Sequence, residues 1–107
     1  MKLAVAYNKE NGRIADNFNT TQYFMLYDIV DGEVLCSELV GTMKYEEIDL
    51  VGMLTMLEAD ALLCGGIDEE SIHELNSEGL VFYSGFEGDA EEVTEHFING
   101  RFTFGKD

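Results

Sequence analysis

Cys64 is the residue with the most distinctive potential chemistry. It ends a short apolar run at residues 61–64 and is followed by Gly65, Gly66 and, at Asp68, the start of a predicted helix. A thiol just before a helix N-terminus can have a lowered pKa, and as a thiolate it could bind a metal ion or a metal cluster. An unpaired cysteine that continues an Ala-Leu-Leu run is also typical of a buried core residue, and a single thiolate is far from the four-cysteine norm of iron–sulfur sites.

The two glycines after Cys64 allow two interpretations. Backbone N–H groups at a helix N-terminus attract anions, so Gly65 and Gly66 could form an anion site. Asp68 argues against that role because a carboxylate already occupies the positive end of the helix, and the pair lacks the lysine of a P-loop. A tight turn is the alternative interpretation.

Other candidate ligands are isolated along the chain. His73 and His96 lie within predicted helices, beside the apolar faces, and they are not spaced as i and i+4 with each other or with a cysteine, so no local metal pair exists. We predict that Cys36 packs within the sheet and that Met53 and Met56, at helical spacing, pack in the core rather than bind a soft metal.

Clear start and stop signals delimit the elements of the second half. Asp68 is a predicted N-cap, and its helix should end at Gly79 before a short apolar strand at residues 80–83. Asp89, with Glu92 three residues later, predicts a last helix that ends at Gly100. The order strand, helix, strand, helix predicts parallel strands joined by a right-handed crossover.

The first 60 residues have a different pattern. Residues 3–7 and 22–30 are predicted strands, and a turn at Asp31 and Gly32 leads into an antiparallel strand at residues 33–40. Both faces of residues 22–30 are mostly apolar, so this strand should lie inside the sheet with successive side chains on opposite sides. Helical spacing of apolar residues predicts a helix from about 45 to 58. The whole chain is therefore predicted to be an α/β domain with a mixed sheet and helices on both faces.

Composition narrows the classes of partner. The chain has 107 residues, enough for one domain, and carries 22 acidic against 6 basic side chains, a net charge of −16. This acidic protein should repel nucleic acid and acidic membranes. The sequence contains neither an 18-residue apolar stretch nor a signal-peptide pattern, and its two cysteines form no disulfide framework. We therefore expect a soluble, cytoplasmic protein.

The sequence does not favour an enzyme. A two-metal nuclease requires carboxylates on its central strands, and the first strand, LAVAY, has none. A hydrolase requires a base beside its nucleophile, and neither histidine is near Ser84 or Cys64 in sequence.

Several strings together resemble one known family. These are MKLAVAY, GRIADNFNTTQYFMLYD, the DG hairpin, ALLCGGI and the last helix with its glycine. They resemble the nitrogenase iron-molybdenum cofactor biosynthesis and carrier family, with its NifX/NafY-type dinitrogenase cofactor-binding domain. The resemblance implies a ribonuclease H-like three-layer α/β/α sandwich, with a mixed five-stranded sheet of order 3-2-1-4-5 in which strand 2 is antiparallel.

The same resemblance implies a function. It implies binding or transfer of an iron-sulfur or iron-molybdenum type cluster, with a cluster donor or acceptor protein as partner. This chain has Asn17, Phe18 and Asn19 where family members often have His-Phe-Gly, and it lacks the histidine-rich stretch that many carry near residues 41–45. The alternative is a cofactor-free member of the family that binds another protein or a small molecule.

The site is predicted beyond the carboxyl ends of the strands, where ligands of open α/β sheets bind. The loops at 7–18, 64–68 and 84–89 should converge there. Candidate cofactor-binding residues are Tyr7, Asn17, Phe18, Cys64, Gly65, Gly66 and Ser84, with Cys64 as the candidate metal ligand.

The last seven residues, 101–107, alternate Phe102 and Phe104 with polar residues or glycine. They predict a short extended segment with two rings on one face. Such a segment could anchor a homodimer or add a strand to a partner, and a frayed terminus is the alternative.

Overall fold

The protein is a mixed α/β fold. A computed structural model describes residues 1–45 and 49–100. The elements, in chain order, are β1 (Lys2–Asn8), β2 (Arg13–Ile14), β3 (Tyr23–Val30), β4 (Glu33–Gly41), α1 (Leu50–Met56), β5 (Ala61–Leu63), α2 (Glu69–Ser77), β6 (Val81–Tyr83) and α3 (Ala90–Ile98). Two single-turn 3-10 helices lie at Phe18–Thr20 and Thr42–Tyr45. The predicted mixed sheet and three α-helices are confirmed for the described residues.

The sheet places the first strand at its centre. The strands lie in the order β4, β3, β1, β5, β6, and the two-residue β2 pairs with the end of β1. β1 and β4 both pair antiparallel with β3, whereas β1, β5 and β6 are parallel to one another. The prediction that residues 22–30 lie inside the sheet is confirmed, because β3 has a neighbour on each side. β2 was not predicted, and within residues 1–45 and 49–100 the sheet has six strands rather than five.

Apolar side chains cover both faces of the sheet. On one face α1 and α2 contribute Met53, Leu54 and Leu75 to a cluster that includes Phe24 and Leu62. On the other face α3 contributes to a second cluster, whose members include Leu3, Val5, Leu63, Ala90 and Val93. β1 and β5 supply residues to both clusters, so these two strands lie between the two helical layers.

Each α-helix begins at an aspartate. The carboxylates of Asp49, Asp68 and Asp89 accept hydrogen bonds from the backbone N–H three residues later, with N···O distances of 2.7, 2.9 and 3.0 Å. Glycines at 79 and 100, with φ of +72° and +69°, follow the ends of α2 and α3 in the left-handed conformation that glycine adopts without strain. The N-caps at Asp68 and Asp89 and both glycine stops agree with the sequence patterns.

Some predictions about the first half were wrong. The first helix begins at Leu50 rather than near residue 45, because Tyr45 lies in a 3-10 helix and Asp49 is the N-cap. Cys36 is exposed rather than packed, because β4 is an edge strand. Met53 is buried as predicted, but Met56 is 57% exposed because it lies in the last turn of this short helix.

The homodimer prediction concerns residues 101–107, which lie outside the described residues, as do residues 46–48. No helix in the described parts of the chain has both the length and the apolar character needed to cross a membrane.

Candidate functional site

The loops that follow β1, β5 and β6 contact one another directly. The Phe18 N–H donates to the Gly66 carbonyl at 2.7 Å, and the Gly66 N–H donates to the Asp16 carbonyl at 2.9 Å. The Gly85 N–H donates to the Gly65 carbonyl at 2.9 Å, which ties the third loop to the second. The predicted convergence of the three loops is therefore confirmed. Hydrogen bonds between their backbone polar groups join the three loops at this end of the sheet.

Gly65 allows this close approach. A Cβ atom at Gly65 would lie 2.6 Å from the Ala15 carbonyl oxygen and 2.8 Å from that of Asp16, both closer than real Cβ contacts. Its φ lies outside the left-handed region, so the lack of a side chain, not an unusual backbone conformation, is what the site needs. The neighbouring Gly66 already donates its N–H to Asp16.

Asp68 occupies the N-terminus of α2. Its carboxylate accepts the Ser71 N–H at 2.9 Å, and hydrogen bonds from Ser71 hold the pKa of Asp68 below its ordinary value. The tight-turn interpretation of the two glycines therefore fits the geometry, because the Gly66 N–H is bonded and the helix end already carries a carboxylate.

Cys64 is fully buried, and its thiol belongs to the apolar cluster beneath α1 and α2. Burial raises the pKa of Cys64 to about 12. The expectation of a lowered pKa is therefore wrong, because desolvation disfavours the thiolate. Both backbone polar groups of Cys64 form hydrogen bonds: its N–H donates to the Tyr83 carbonyl, and its carbonyl accepts from the Phe86 N–H.

The remaining predicted residues divide into two groups. Asn17 and Phe18 build the loop: the Asn17 Oδ1 atom accepts the Asn19 N–H at 2.8 Å, and the buried Phe18 ring lies 6.1 Å from that of Phe24. Ser84 is exposed just after β6, and Tyr7 is partly exposed at the end of β1. Tyr7 and Ser84 are therefore the predicted residues whose side chains solvent can reach most readily, together with the exposed Asn17.

A cleft of about 500 Å³ opens beside Tyr7, at the carboxyl end of β1. Its lining is largely polar and includes Tyr7, Asn8, Lys9, Glu10, Asp16, Thr20 and Tyr23. Tyr7 and Tyr23 are directly opposite in the β1–β3 ladder, and the Lys9 Nζ atom lies 5.1 Å from the centre of the Tyr23 ring. β1 has an antiparallel neighbour on one side and a parallel neighbour on the other, so the cleft lies where the strand direction changes.

The sequence did not predict that Lys9 and Tyr23 line this cleft opposite Tyr7. Neither Lys9 nor Tyr23 was among the predicted site residues. The antiparallel pairing of β1 and β3 places Tyr7 opposite Tyr23. Predicting this wall requires the register of the two strands, which the sequence alone does not supply.

The described residues do not bring together side chains that could form a metal centre. No group of three or more histidine, cysteine, aspartate or glutamate side chains in the described residues could hold a metal ion. Lys9 supplies positive charge to the cleft, and Glu10 and Asp16 supply negative charge. The cleft is thus suited to a ligand bound by charge and hydrogen bonds.

Comparison with known proteins identifies relatives across nearly the whole chain. The family model described as dinitrogenase iron-molybdenum cofactor matches residues 1–100. The crystal structure of PH0822 has a TM-score of 0.87 and 25% identity, covering 100% of this chain and 98% of that one. No curated protein matches the sequence.

Two further solved structures share the fold. A candidate dinitrogenase, MJ0327 of Methanocaldococcus jannaschii, has a TM-score of 0.73 and 22% identity, covering 96% of this chain and 92% of that one. The apo form of the orange protein from Desulfovibrio gigas has a TM-score of 0.77 and 17% identity, covering 94% of this chain and 88% of that one.

Proposed function

The chain belongs to the dinitrogenase iron-molybdenum cofactor family, and we propose that it is a small, non-enzymatic, cytoplasmic carrier for an iron-sulfur or iron-molybdenum type cluster. The cluster is cargo, received from a donor protein and passed to an acceptor protein. The observation that carries this proposal is the polar cleft at the carboxyl end of β1, which lies next to the joined loops and holds Lys9.

The cleft would hold the cluster without covalent bonds from the protein. Cys64 is buried and its pKa is raised, so it offers no accessible thiolate. A preassembled cluster brings its own sulfide ligands and carries negative charge, which Lys9 can offset. Hydroxyl groups of Tyr7, Thr20 and Tyr23 supply hydrogen-bond donors around it. A volume of about 500 Å³ lies within the usual range for small-ligand pockets.

The overall charge supports a local role for Lys9. A net charge of −16 repels an anionic cluster from most of the surface, so binding requires a place where the field is reversed or weakened. The ammonium of Lys9 over the Tyr23 ring weakens the negative field that Glu10 and Asp16 give the cleft.

We also propose the ribonuclease H-like three-layer sandwich for this fold. The strand order β4, β3, β1, β5, β6 and the helices on both faces support this assignment.

The alternative function is a cofactor-free family member that binds a protein or a small molecule. Two observations favour it: asparagines stand at 17 and 19, flanking Phe18, and Cys64 is buried. It predicts that the cleft accepts an organic anion or a peptide but takes up no metal.

Anaerobic reconstitution with iron, sulfide and molybdate separates the two functions. The wild type should retain metal after desalting and show a visible absorption band. Lys9→Glu should weaken retention about 10-fold or more, because a hydrogen bond to a charged group contributes about 1.5–3 kcal/mol. Lys2→Glu makes the same change of charge at the opposite end of β1; it is the matched control and should retain metal as the wild type does.

Cys64→Ala tests the mode of binding in the same assay. The band should survive this substitution, and its loss would return Cys64 to the site as a ligand. If the wild type retains no metal, the carrier proposal fails and the cofactor-free alternative is favoured.

A further inference from the structure

A second groove, of about 510 Å³, lies between α3 and the outer part of the sheet. α1 and α2 contact each other and pack on one face of the sheet, whereas within residues 1–45 and 49–100 only α3 packs on the other face. The apolar cluster beneath α3 includes side chains of β1, β3 and β5 and none of β4. The described helices therefore leave the α3 side of β4 uncovered.

The uncovered side of β4 carries apolar side chains. Val34 pairs with Ile29 of β3, a member of the cluster beneath α3. Leu39 pairs with Met25, which packs against the same cluster. Because directly paired residues project to the same face of a sheet, Val34 and Leu39 both lie on the α3 side. They are 44% and 37% exposed, and exposed apolar side chains rimmed by polar groups are typical of an interaction site.

The helix wall of the groove is acidic. Glu91 and Glu95 line it, are exposed and stand four residues apart, so their carboxylates lie on one face of α3 and repel each other. No basic side chain of the described residues lines the groove. Burial raises the pKa of the Tyr27 hydroxyl, which also lines the groove, and the charge of Glu91 raises it further. A positive charge beside this wall would be attracted by both carboxylates.

The width of the uncovered face fits one helix. α3 packs over β1, and β4 lies two strands away from β1 in the sheet. Two strand spacings amount to about 10 Å, and packed helices lie about 8–10 Å apart. A helix laid over β4 would thus contact α3 along its acidic wall and cover Val34 and Leu39.

Charge decides which kind of helix fits. A second copy of this chain carries a net charge of −16, so two copies repel each other. A helix with an apolar stripe and with lysine or arginine beside the stripe complements both walls of the groove. Basic residues spaced as i and i+4 on that helix repeat every 6 Å or so, which is about the separation of Glu91 and Glu95 along α3.

We propose that this groove is the docking site for a cationic amphipathic helix of a partner protein. The helix packs beside α3, with its apolar stripe on Val34 and Leu39 and its basic residues facing Glu91 and Glu95. Among the described residues, the lining of this groove and that of the cleft beside Tyr7 have no member in common. The docking is therefore independent of any cluster in the cleft.

A synthetic peptide tests the proposal on the full, ¹⁵N-labelled chain. The probe is a helical peptide of about 18 residues, which spans about 27 Å, with leucine at every third or fourth position and lysine or arginine flanking that stripe. The amide signals of Val34, Ser37 and Glu95 should shift and saturate as the peptide is added. The signals of Leu75, on the opposite face, and Thr20, in the cleft, should keep their positions.

A peptide of the same composition, with its leucines distributed around the helix, is the control for charge alone. It should leave the signals of Val34 and Ser37 in place. Equal binding of the two peptides would mean that only the overall acidity of the protein attracts them, and it would overturn the proposal.

Substitutions in the helix wall test the ionic contacts. Glu91→Gln combined with Glu95→Gln should weaken binding of the amphipathic peptide about 3-fold or more, because two ion pairs are lost. Glu69→Gln combined with Glu70→Gln removes the same charge from the exposed first turn of α2 and is the matched control. Equal losses of affinity in the two double variants would contradict a site beside α3.

Substitutions in the strand test the apolar contact. Val34→Thr combined with Leu39→Thr should weaken binding about 5-fold or more, because less apolar surface is buried. Threonine retains the preference for a strand, so β4 should remain folded. Val30→Thr combined with Val81→Thr is the matched control, since these side chains are 46% and 52% exposed and lie outside the groove. That variant should bind as the wild type does.

The behaviour of the chain without peptide identifies other occupants. Shifts of the Val34 and Ser37 signals that grow with protein concentration would assign the groove to a second copy and overturn the proposal. A lack of response to the peptide in the full chain would overturn it as well, whichever part of the protein then covers the groove.

Discussion

Replacing Gly65 with alanine should destabilise the protein, because the added methyl group has no room. Its Cβ would lie 2.6 Å from the Ala15 carbonyl oxygen and 2.8 Å from that of Asp16. Carbon atoms in good contact lie about 3.5–4.0 Å apart, so the 15–17 loop must move by several tenths of an ångström. Both clashing atoms are backbone, so no side-chain rotation can relieve the contact.

The magnitude follows from what that movement breaks. The loop is held on the turn by the hydrogen bonds Phe18 N–H to Gly66 and Gly66 N–H to Asp16. Each contributes about 0.5–1.5 kcal/mol, and overpacking itself costs about 1–3 kcal/mol. Alanine restricts the unfolded chain and offsets about 0.4–1 kcal/mol of this. A net loss of about 1–5 kcal/mol in the free energy of unfolding is expected.

Urea unfolding followed by circular dichroism measures this loss. With an m value of about 1–2 kcal/mol/M, the urea midpoint of Gly65→Ala should fall by about 0.5 M or more. Gly41→Ala is the matched control: its φ also lies outside the left-handed region, and its added methyl would meet only the Tyr23 ring, at an ordinary 3.5 Å. That variant should stay within about 0.5 kcal/mol of the wild type. Equal midpoints for the two variants would refute the close approach of the loop to the turn.

Three other predictions concern thiols, a helix cap and an acidic pair. At about pH 8, Ellman's reagent should modify Cys36 rapidly in the folded protein and Cys64 only after unfolding, because Cys64 is buried with a pKa of about 12; two fast thiols would contradict the burial. Asp89→Ala should lower the free energy of unfolding by about 1 kcal/mol through loss of the α3 N-cap, whereas Asp89→Ser should retain most of it in the same urea assay. Asp49 and other acidic neighbours raise the pKa of Glu74, so its ionisation weakens the fold as pH rises through the ordinary carboxyl range. Glu74→Gln should therefore raise the thermal midpoint relative to the wild type at about pH 7, with the gain vanishing below about pH 4, and a gain that does not change with pH would disprove the carboxyl interaction.

The element boundaries of the second half could be predicted because their causes are local. An N-cap such as Asp68 or Asp89 bonds to a backbone group three residues away, and a glycine stop such as Gly79 depends on its own φ. Such interactions join residues that are close in sequence, so the sequence indicates them without the tertiary structure. The start of α1 was missed because apolar spacing continued upstream of Asp49, the true cap.

The site was less predictable because it depends on pairing between distant residues. The pKa of Cys64 is raised by the core that surrounds its thiol, whereas its sequence neighbours allowed both a reactive thiolate and a buried core residue. The cleft requires Tyr7 and Tyr23 to be in register, and Gly65 was read as part of a turn although its constraint comes from carbonyls some 50 residues away in sequence. The convergence of the loops followed from the topology, but a role for Tyr7 and Ser84 in binding a cofactor stays a prediction.

The central position of β1 has a consequence for the order in which the protein can assemble. β3 and β4 follow β1 in the chain and can pair with it as an antiparallel meander while the ribosome is still translating β5 and β6. Its other edge must wait for Ala61 to Leu63, the partners of Leu3 to Val5. Until β5 emerges, the nascent chain presents an apolar, unpaired strand, the kind of surface that chaperones bind and that other chains can add to. Parallel pairing of β1 with β5 closes a long loop and is therefore expected to be a slow step of folding and the one most exposed to aggregation.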